Sequence, residues 1–212
     1  MDAEELYNSI EKYSPFNEQE EKDKALILQF LRENSDAFQR SNKIAHMTAS
    51  SWVVNRSRTR VLLAYHKIYD SWTWTGGHAD GETDLLSVAM REVREETGVE
   101  NVRPLSRDIY SLEVLTVDGH EKRGEYVPGH LHLNITYLLE ADENDPLSVR
   151  EEENRAVGWF GLDEALEVSS EPWFNERIFK KLNAKLKAFS KQFTDEELEQ
   201  VSGGLNTPHI RK

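Results

Sequence analysis

Apolar positions in the first part of the chain recur at helical spacing. Residues 1–14 carry a weak helical pattern that Pro15 interrupts. Asn17 with Glu20 has the form of a capping box, and Ile27, Leu28, Phe30 and Leu31 give a second segment, about 18–38, one buried face. The period then changes to that of strands. Residues 50–55 and 60–66 are rich in β-branched and aromatic side chains and flank the polar turn 56–59, and residues 71–74 form a third strand. Residues 85–97 return to the helical period: Leu86, Met90, Val93 and Thr97 fall on one stripe, while Glu92, Glu95 and Glu96 fall on another. Asp84 is placed as the N-cap, its carboxylate accepting from the amides of the first turn, and Gly98 as the glycine that ends the helix.

Residues 109–117 read as a strand, and the polar, glycine-containing stretch 118–129 as a loop. Residues 130–141 alternate, with His130, His132, Asn134 and Thr136 on one side and Leu131, Leu133, Ile135 and Tyr137 on the other. A strand over 156–160 precedes a short helix, 163–167, and a longer amphipathic one, 172–192. Thr194 with Glu197 caps a last helix that ends near Gly203 and Gly204. Strands on both sides of a central helix place the chain in the α/β or α+β layered class. The expected organisation is an N-terminal helical extension over 1–45, a main domain over 46–168, and C-terminal helices with a tail over 169–212.

Composition narrows the function. A 212-residue chain can bury a sizeable core, and 38% hydrophobic residues without a long apolar run exclude a membrane span. The N-terminus has no signal-peptide pattern, so a soluble cytoplasmic protein is expected. Without cysteine there is no disulfide, thiolate nucleophile or cysteine metal ligand. A formal net charge of −13 repels nucleic-acid backbones, so general nucleic-acid binding is not expected, whereas local cations and a bound metal can handle a small phosphorylated substrate. The N-terminal helices serve packing in the plainest reading; covering the substrate pocket or joining a homodimer is the sharper one.

The chemistry concentrates in residues 76–99. Carboxylates at i, i+3 and i+4 repel one another by a few tenths of a kcal/mol per pair, roughly, even in water. A solvated charged face neutralised by Arg91 and Arg94 is the plain explanation of such a helix. The preceding Gly76, Gly77 and Gly81 change the picture, because they let a backbone turn tightly beside the glutamates and leave room for a ligand. Hard cations take oxygen ligands from carboxylates together with substrate phosphates, so loop and glutamates describe a metal–phosphate site.

This stretch resembles the Nudix box, G-x5-E-x7-R-E-U-x-E-E-x-G-U with U aliphatic. From Gly77 the match places Arg91, Glu92, Val93, Glu95, Glu96, Gly98 and Val99 in register, eight of nine fixed positions over 23 residues. The departure is Thr83 at the first glutamate position, with Glu82 one residue earlier. Box and neighbouring strands cover about 50–165. The resemblance implies a mixed-sheet α/β/α Nudix sandwich with helical additions at both ends, and a hydrolase that cleaves a diphosphate linkage in a nucleoside diphosphate derivative or another X-linked diphosphate. Water is the nucleophile. Glu92, Glu95 and Glu96, with Glu82 as a further ligand, would hold Mg²⁺ or Mn²⁺, and Arg91 would orient a glutamate. Which glutamate acts as base stays open.

Gly76 and Gly77 are expected to bring backbone groups to the phosphates, and Lys122 and Arg123 to steer them, although exposed cations in a loop commonly serve solubility. The H-x-H pair His130 and His132 places two imidazoles on one face. Two histidines alone do not make a transition-metal site, and substrate contacts are the assignment. Glu152 or Glu153, before the strand at 156, occupies a region that the resemblance puts near the cleft. Trp52, Trp72 and Trp74 offer a stacking surface for a base, against the commoner role of core residues. An isopentenyl-diphosphate isomerase shares the box but also needs a catalytic cysteine, which this chain lacks. The alternative is a non-catalytic Nudix-like sensor that binds a nucleotide derivative, and a purely structural domain with a solvated acidic helix is the third reading.

Overall fold

The computed structural model describes residues 1–122 and 124–202, except for the side chains of Lys122 and of residues 192–202. Helices α1 (Ala3–Lys12) and α2 (Glu18–Glu33) lead into strands β1 (Ala45–Val54), β2 (Arg60–His66), β3 (Ser71–Thr73) and β4 (Thr75–His78). Helix α3 (Leu85–Thr97) follows, then β5 (Arg103–Pro104), β6 (Ser111–Val117), β7 (His120–Lys122), β8 (Glu125–Val127), β9 (His130–Glu140) and β10 (Asn154–Gly161). The chain continues as α4 (Glu164–Val168), the single turn α5 (Pro172–Phe174), a π-helical turn over Asn175–Phe179 and α6 (Lys180–Ser202). Two compact units result, Met1–Glu171 and the helical segment that starts at Pro172.

The first unit is built on β1. It runs parallel to β9 in unbroken register from Ala45↔Leu131 to Val54↔Glu140. Its other edge is shared: β4 pairs antiparallel with Thr48–Ser51, and β2 joins at Val54. Strands β10 and β3 extend the sheet from β2, while β5 and β6 pair with β9. All ten residues of β1 are buried. It starts five residues before the expected position 50. Ala45, His46 and Met47 have modest strand propensity, and pairing with β9 overrides it.

One face of this spine is apolar. Ala45, Met47, Ala49 and Val53 join Leu133, Ile135 and Tyr137 in a single cluster with Leu85, Leu86, Val88, Ala89 and Val93 of α3. The same cluster takes in Leu6 and Ile10 of α1 and Ile27 and Leu28 of α2. Helix α3 has the predicted limits, and Gly98 ends it at φ 73°, ψ 1°, a left-handed conformation that costs glycine little. Asp84 does not cap the first turn. Its carboxylate instead accepts from the Ser87 hydroxyl at 2.9 Å.

The opposite face is polar and nearly as buried, because hydrogen bonds cross the strands in place of apolar contacts. Asn134 Oδ1 accepts from Thr48 at 3.0 Å and from Ser50 at 2.8 Å, while Asn134 Nδ2 donates to Glu113 at 3.0 Å and Thr136 at 3.1 Å. Thr136 also donates to Glu113, and Ser111 reaches both Glu113 and Glu20 of α2.

Four local expectations are corrected. Helix α2 stops at Glu33, not near 38, where Asn34 turns extended and its amide closes on Phe30. The capping box is half formed, since Asn17 accepts from the Glu20 amide but the Glu20 carboxylate accepts from Tyr13 Oη and Phe16 N. The stretch 118–129 contains the β7–β8 ribbon, which turns at Gly124 with φ 81°. Helix α6 runs unbroken through position 194, so no separate last helix starts there, and Gly203 and Gly204 lie outside the described residues.

Asn134→Ala takes one hydrogen-bond partner each from the buried Glu113, Thr48 and Ser50. The expected loss is about 3 kcal/mol of unfolding free energy, read from the midpoint of a urea titration.

Candidate active site

The glycines expected to form a loop lie on a strand. Gly76 and Gly77 sit in β4, opposite Ser50 and Ala49 of β1. Neither needs a left-handed backbone; both are needed for close approach. A Cβ at Gly76 would stand 2.5 Å from Ser50 Oγ and 2.6 Å from the Ala49 carbonyl oxygen, and one at Gly77 would stand 2.4 Å from Glu92 Cδ. The true turn comes later, where Asp80 (φ 50°) and Gly81 (φ 92°) are left-handed. Residues before β1 hold that turn: the Gly81 amide donates to the Phe38 carbonyl at 2.8 Å, and Arg40 pairs with Asp80.

This arrangement sets α3 with its glutamates against the outer edge of β4. Glu96 is nearly enclosed, at 4% exposure. Its Oε1 accepts from the Gly76 amide at 2.9 Å and its Oε2 from Asn154 Nδ2 at 3.1 Å. Burial nevertheless dominates and pushes its carboxyl up to about 8. Glu92, packed on Gly77, is raised by burial first and by the charge of Glu95 next. Glu95 is more exposed and meets Arg150 at 3.0 Å and Arg91 at 3.9 Å.

Arg91 lies among three carboxylates: Glu82 at 2.7 Å, Glu92 at 3.7 Å and Glu95 at 3.9 Å. Glu82 therefore approaches the helix from the turn. Thr83 donates its hydroxyl to the Met1 carbonyl at 2.8 Å. Glu153 joins the acidic group through Arg150 at 3.6 Å and through its field at Glu92 and Glu96. Arg91 and Arg150 are thus outnumbered by the carboxyl groups of Glu82, Glu92, Glu95, Glu96 and Glu153, while Arg40, itself paired with Asp80, reaches Glu92 and Glu153 only through its field. That excess of negative charge in oxygen donors fits a hard divalent cation.

The other sequence candidates lie elsewhere. His130 and His132 meet at the start of β9, with Nε2 atoms 3.3 Å apart, beside His46 and His78. Burial first, then the neighbouring histidines, lowers His132 to about 2, which keeps the ring neutral. Lys122 ends β7, and Arg123 lies outside the described residues. Trp52 and Trp74 are buried and give no stacking face, while the half-buried Trp72 has its ring 4.6 Å from Phe160 and 5.5 Å from Tyr65. Sequence reasoning missed Arg150 and Asn154, which carry no local signal, and also His46 and His78. The last two become visible only once β1 is extended to residue 45 and its registers with β9 and β4 are known.

A mixed sheet carrying a glutamate-lined helix against a glycine strand defines a Nudix-type α/β/α sandwich. The chain belongs to the Nudix family: the NUDIX domain model matches residues 45–182. Among its relatives are the asymmetrical bis(5'-nucleosyl)-tetraphosphatases of Rattus norvegicus and Mus musculus, each 31% identical over 100 residues. The match covers 46% of this chain and spans 60% of the length of those relatives. A C. elegans Ap4A hydrolase, solved as a binary complex, superposes with a TM-score of 0.50 at 20% identity over 69% of this chain and 98% of that one, a likeness of fold alone.

The two glycines separate stability from activity. Gly76→Ala meets backbone and should lower unfolding free energy by about 1–3 kcal/mol. Gly77→Ala meets only the movable end of Glu92, so the melting temperature should hold while turnover falls roughly 100-fold, in line with the cost of a misplaced reacting group. Glu96 also predicts a pH dependence. Its folded carboxyl titrates above the unfolded one, so in chelator the folded state binds the extra proton, and melting temperature should fall as pH rises from about 5 to about 8. Glu96→Gln should flatten that slope in a pH series of thermal melts.

Proposed function

We propose that the protein is a divalent-metal-dependent pyrophosphohydrolase that cleaves a phosphoanhydride linkage in a nucleotide derivative, with water as the nucleophile. The observation that carries this reading is the carboxylate group around Arg91, whose negative charge exceeds the cations beside it. Glu92, Glu95 and Glu96, with Glu82 close by, would hold Mg²⁺ or Mn²⁺, which when bound would supply neutralisation of the diphosphate and an acidified water.

The chain's own groups set the geometry. The Gly76 amide and Asn154 fix the Glu96 carboxylate, Gly77 leaves space for Glu92, and Arg91 gathers Glu82, Glu92 and Glu95. Glu82 stands in for the glutamate that Thr83 replaces. Bis(5'-nucleosyl) polyphosphates lead the substrate classes, because the named relatives act on the tetraphosphates; nucleotide sugars, nucleoside triphosphates and non-nucleotide diphosphates follow.

A panel of these compounds, assayed with Mg²⁺ and with Mn²⁺, tests the reading, and ¹⁸O-labelled water locates the phosphorus that is attacked. Activity should vanish in chelator and fall at least about 100-fold in Glu95→Gln and Glu96→Gln. Glu96→Gln should stay folded, since Asn154 Oδ1 is buried without a partner and can accept from the new amide once the Asn154 side chain turns over. Glu82→Gln should lower kcat/KM about tenfold, and Thr83→Glu should leave it equal or higher. Metal-dependent tight binding of one compound without turnover of any would replace the enzyme with a sensor.

A further inference from the structure

Four histidines that the hydrolytic reading does not use converge at one end of the sheet. His46 lies in β1 directly opposite His132 of the parallel strand β9, and His130 lies two residues earlier in β9. His78 ends β4, opposite Thr48 of β1. The registers thus bring imidazoles from three strands to one face. Their rings stand 4.8–5.1 Å apart in five pairs, and one ligand atom from each of the four lies within 4.8 Å of the others.

We propose that His46, His78, His130 and His132 form a second metal site, for a tetrahedral transition-metal ion of the zinc class, distinct from the carboxylate group on α3.

Three observations carry it. The first is distance. With metal–nitrogen bonds of about 2.0–2.1 Å, the edge of a tetrahedron is about 3.3 Å. His130 Nε2 and His132 Nε2 already stand 3.3 Å apart. The second is the hold on the outward nitrogens. His46 Nδ1 is 3.0 Å from the Asn42 carbonyl, and His130 Nδ1 is 2.9 Å from the Pro128 carbonyl. Each carbonyl takes an Nδ1 proton, so each Nε2 turns a lone pair toward the cluster, as backbone carbonyls do behind metal-bound histidines. The third is an orphan: His46 is 4% exposed, and its Nε2 is buried with no hydrogen-bond partner. An ion at the centre would take that lone pair.

The donor set fixes the class. Four imidazole donors suit zinc and its transition-metal neighbours, whereas Mg²⁺ and Ca²⁺ want oxygen. Four protein ligands also fill a tetrahedral shell, so the ion would join strands and leave no position for substrate. His78 follows Gly77, which packs on Glu92. The ion would therefore brace the strand that carries the active-site glycines.

The test uses the full chain without a polyhistidine tag, titrated with Co²⁺ in excess Mg²⁺ so that the carboxylates are occupied. The expected result is one Co²⁺ per chain with the intense visible absorption of tetrahedral cobalt, displaced by Zn²⁺, and a melting temperature raised by Zn²⁺. His46→Ala and His132→Ala should abolish the absorption, and Glu95→Gln should keep it. The more accessible His130→Ala, checked by circular dichroism, serves if the buried variants do not fold, and should weaken binding roughly tenfold or more. Absence of the absorption overturns the proposal, as does an absorption that survives every histidine substitution or disappears in Glu95→Gln. In each of these cases the four rings are a packed histidine cluster without a metal ion.

Discussion

The parallel pairing of β1 with β9 is the contact on which the rest of the molecule depends. A parallel pair keeps the same register along its whole length, and here it aligns ten residues of each strand, so every side chain of β1 is placed by a neighbour in β9. One face of the pair receives α3 and the N-terminal helices. The other collects hydroxyls, an amide and a carboxylate that satisfy one another. Because β4 pairs along the middle of the same strand, the glycines that meet the glutamates take their position from this spine as well.

Helix α3 departs from an ordinary amphipathic helix in one respect. Its polar face is not fully solvated, for Glu96 is nearly as enclosed as Leu85 and Leu86 of the same helix. Enclosing a carboxyl opposes its ionisation, and the two hydrogen bonds it accepts only partly offset that cost. The fold retains a local conflict that apolar packing elsewhere must outweigh. Such a violation of the usual burial rule marks a place shaped by chemistry, not by stability alone.

The sequence shows α3 almost residue for residue, because its apolar stripe, acidic stripe and terminal glycine are all local signals. Strand β9 is equally plain from its alternation. What escaped was set by partners distant in the chain. The first half of β1 has no strand signature of its own, Gly76 and Gly77 resemble a loop when only their flexibility is considered, and the β7–β8 ribbon is masked by polar composition. His46 and His78 passed unnoticed for the same reason: His46 stands 86 positions from His132, and only strand register makes these histidines neighbours. Tryptophan exposure likewise follows from which sheet face is covered, so Trp52 could not be separated from Trp72 by composition.

Strand β6 pairs with β9 on one side only, which would ordinarily leave a row of backbone donors and acceptors facing outward. Helix α2 interrupts that row: Asp23 accepts from the Val114 amide at 3.2 Å. Asp23 guards the edge there, since an incoming strand would have to displace its carboxyl oxygen to reach the Val114 amide. Extension of the sheet by another strand is thereby disfavoured at this point of β6, because α2 already occupies the edge that such a strand would need.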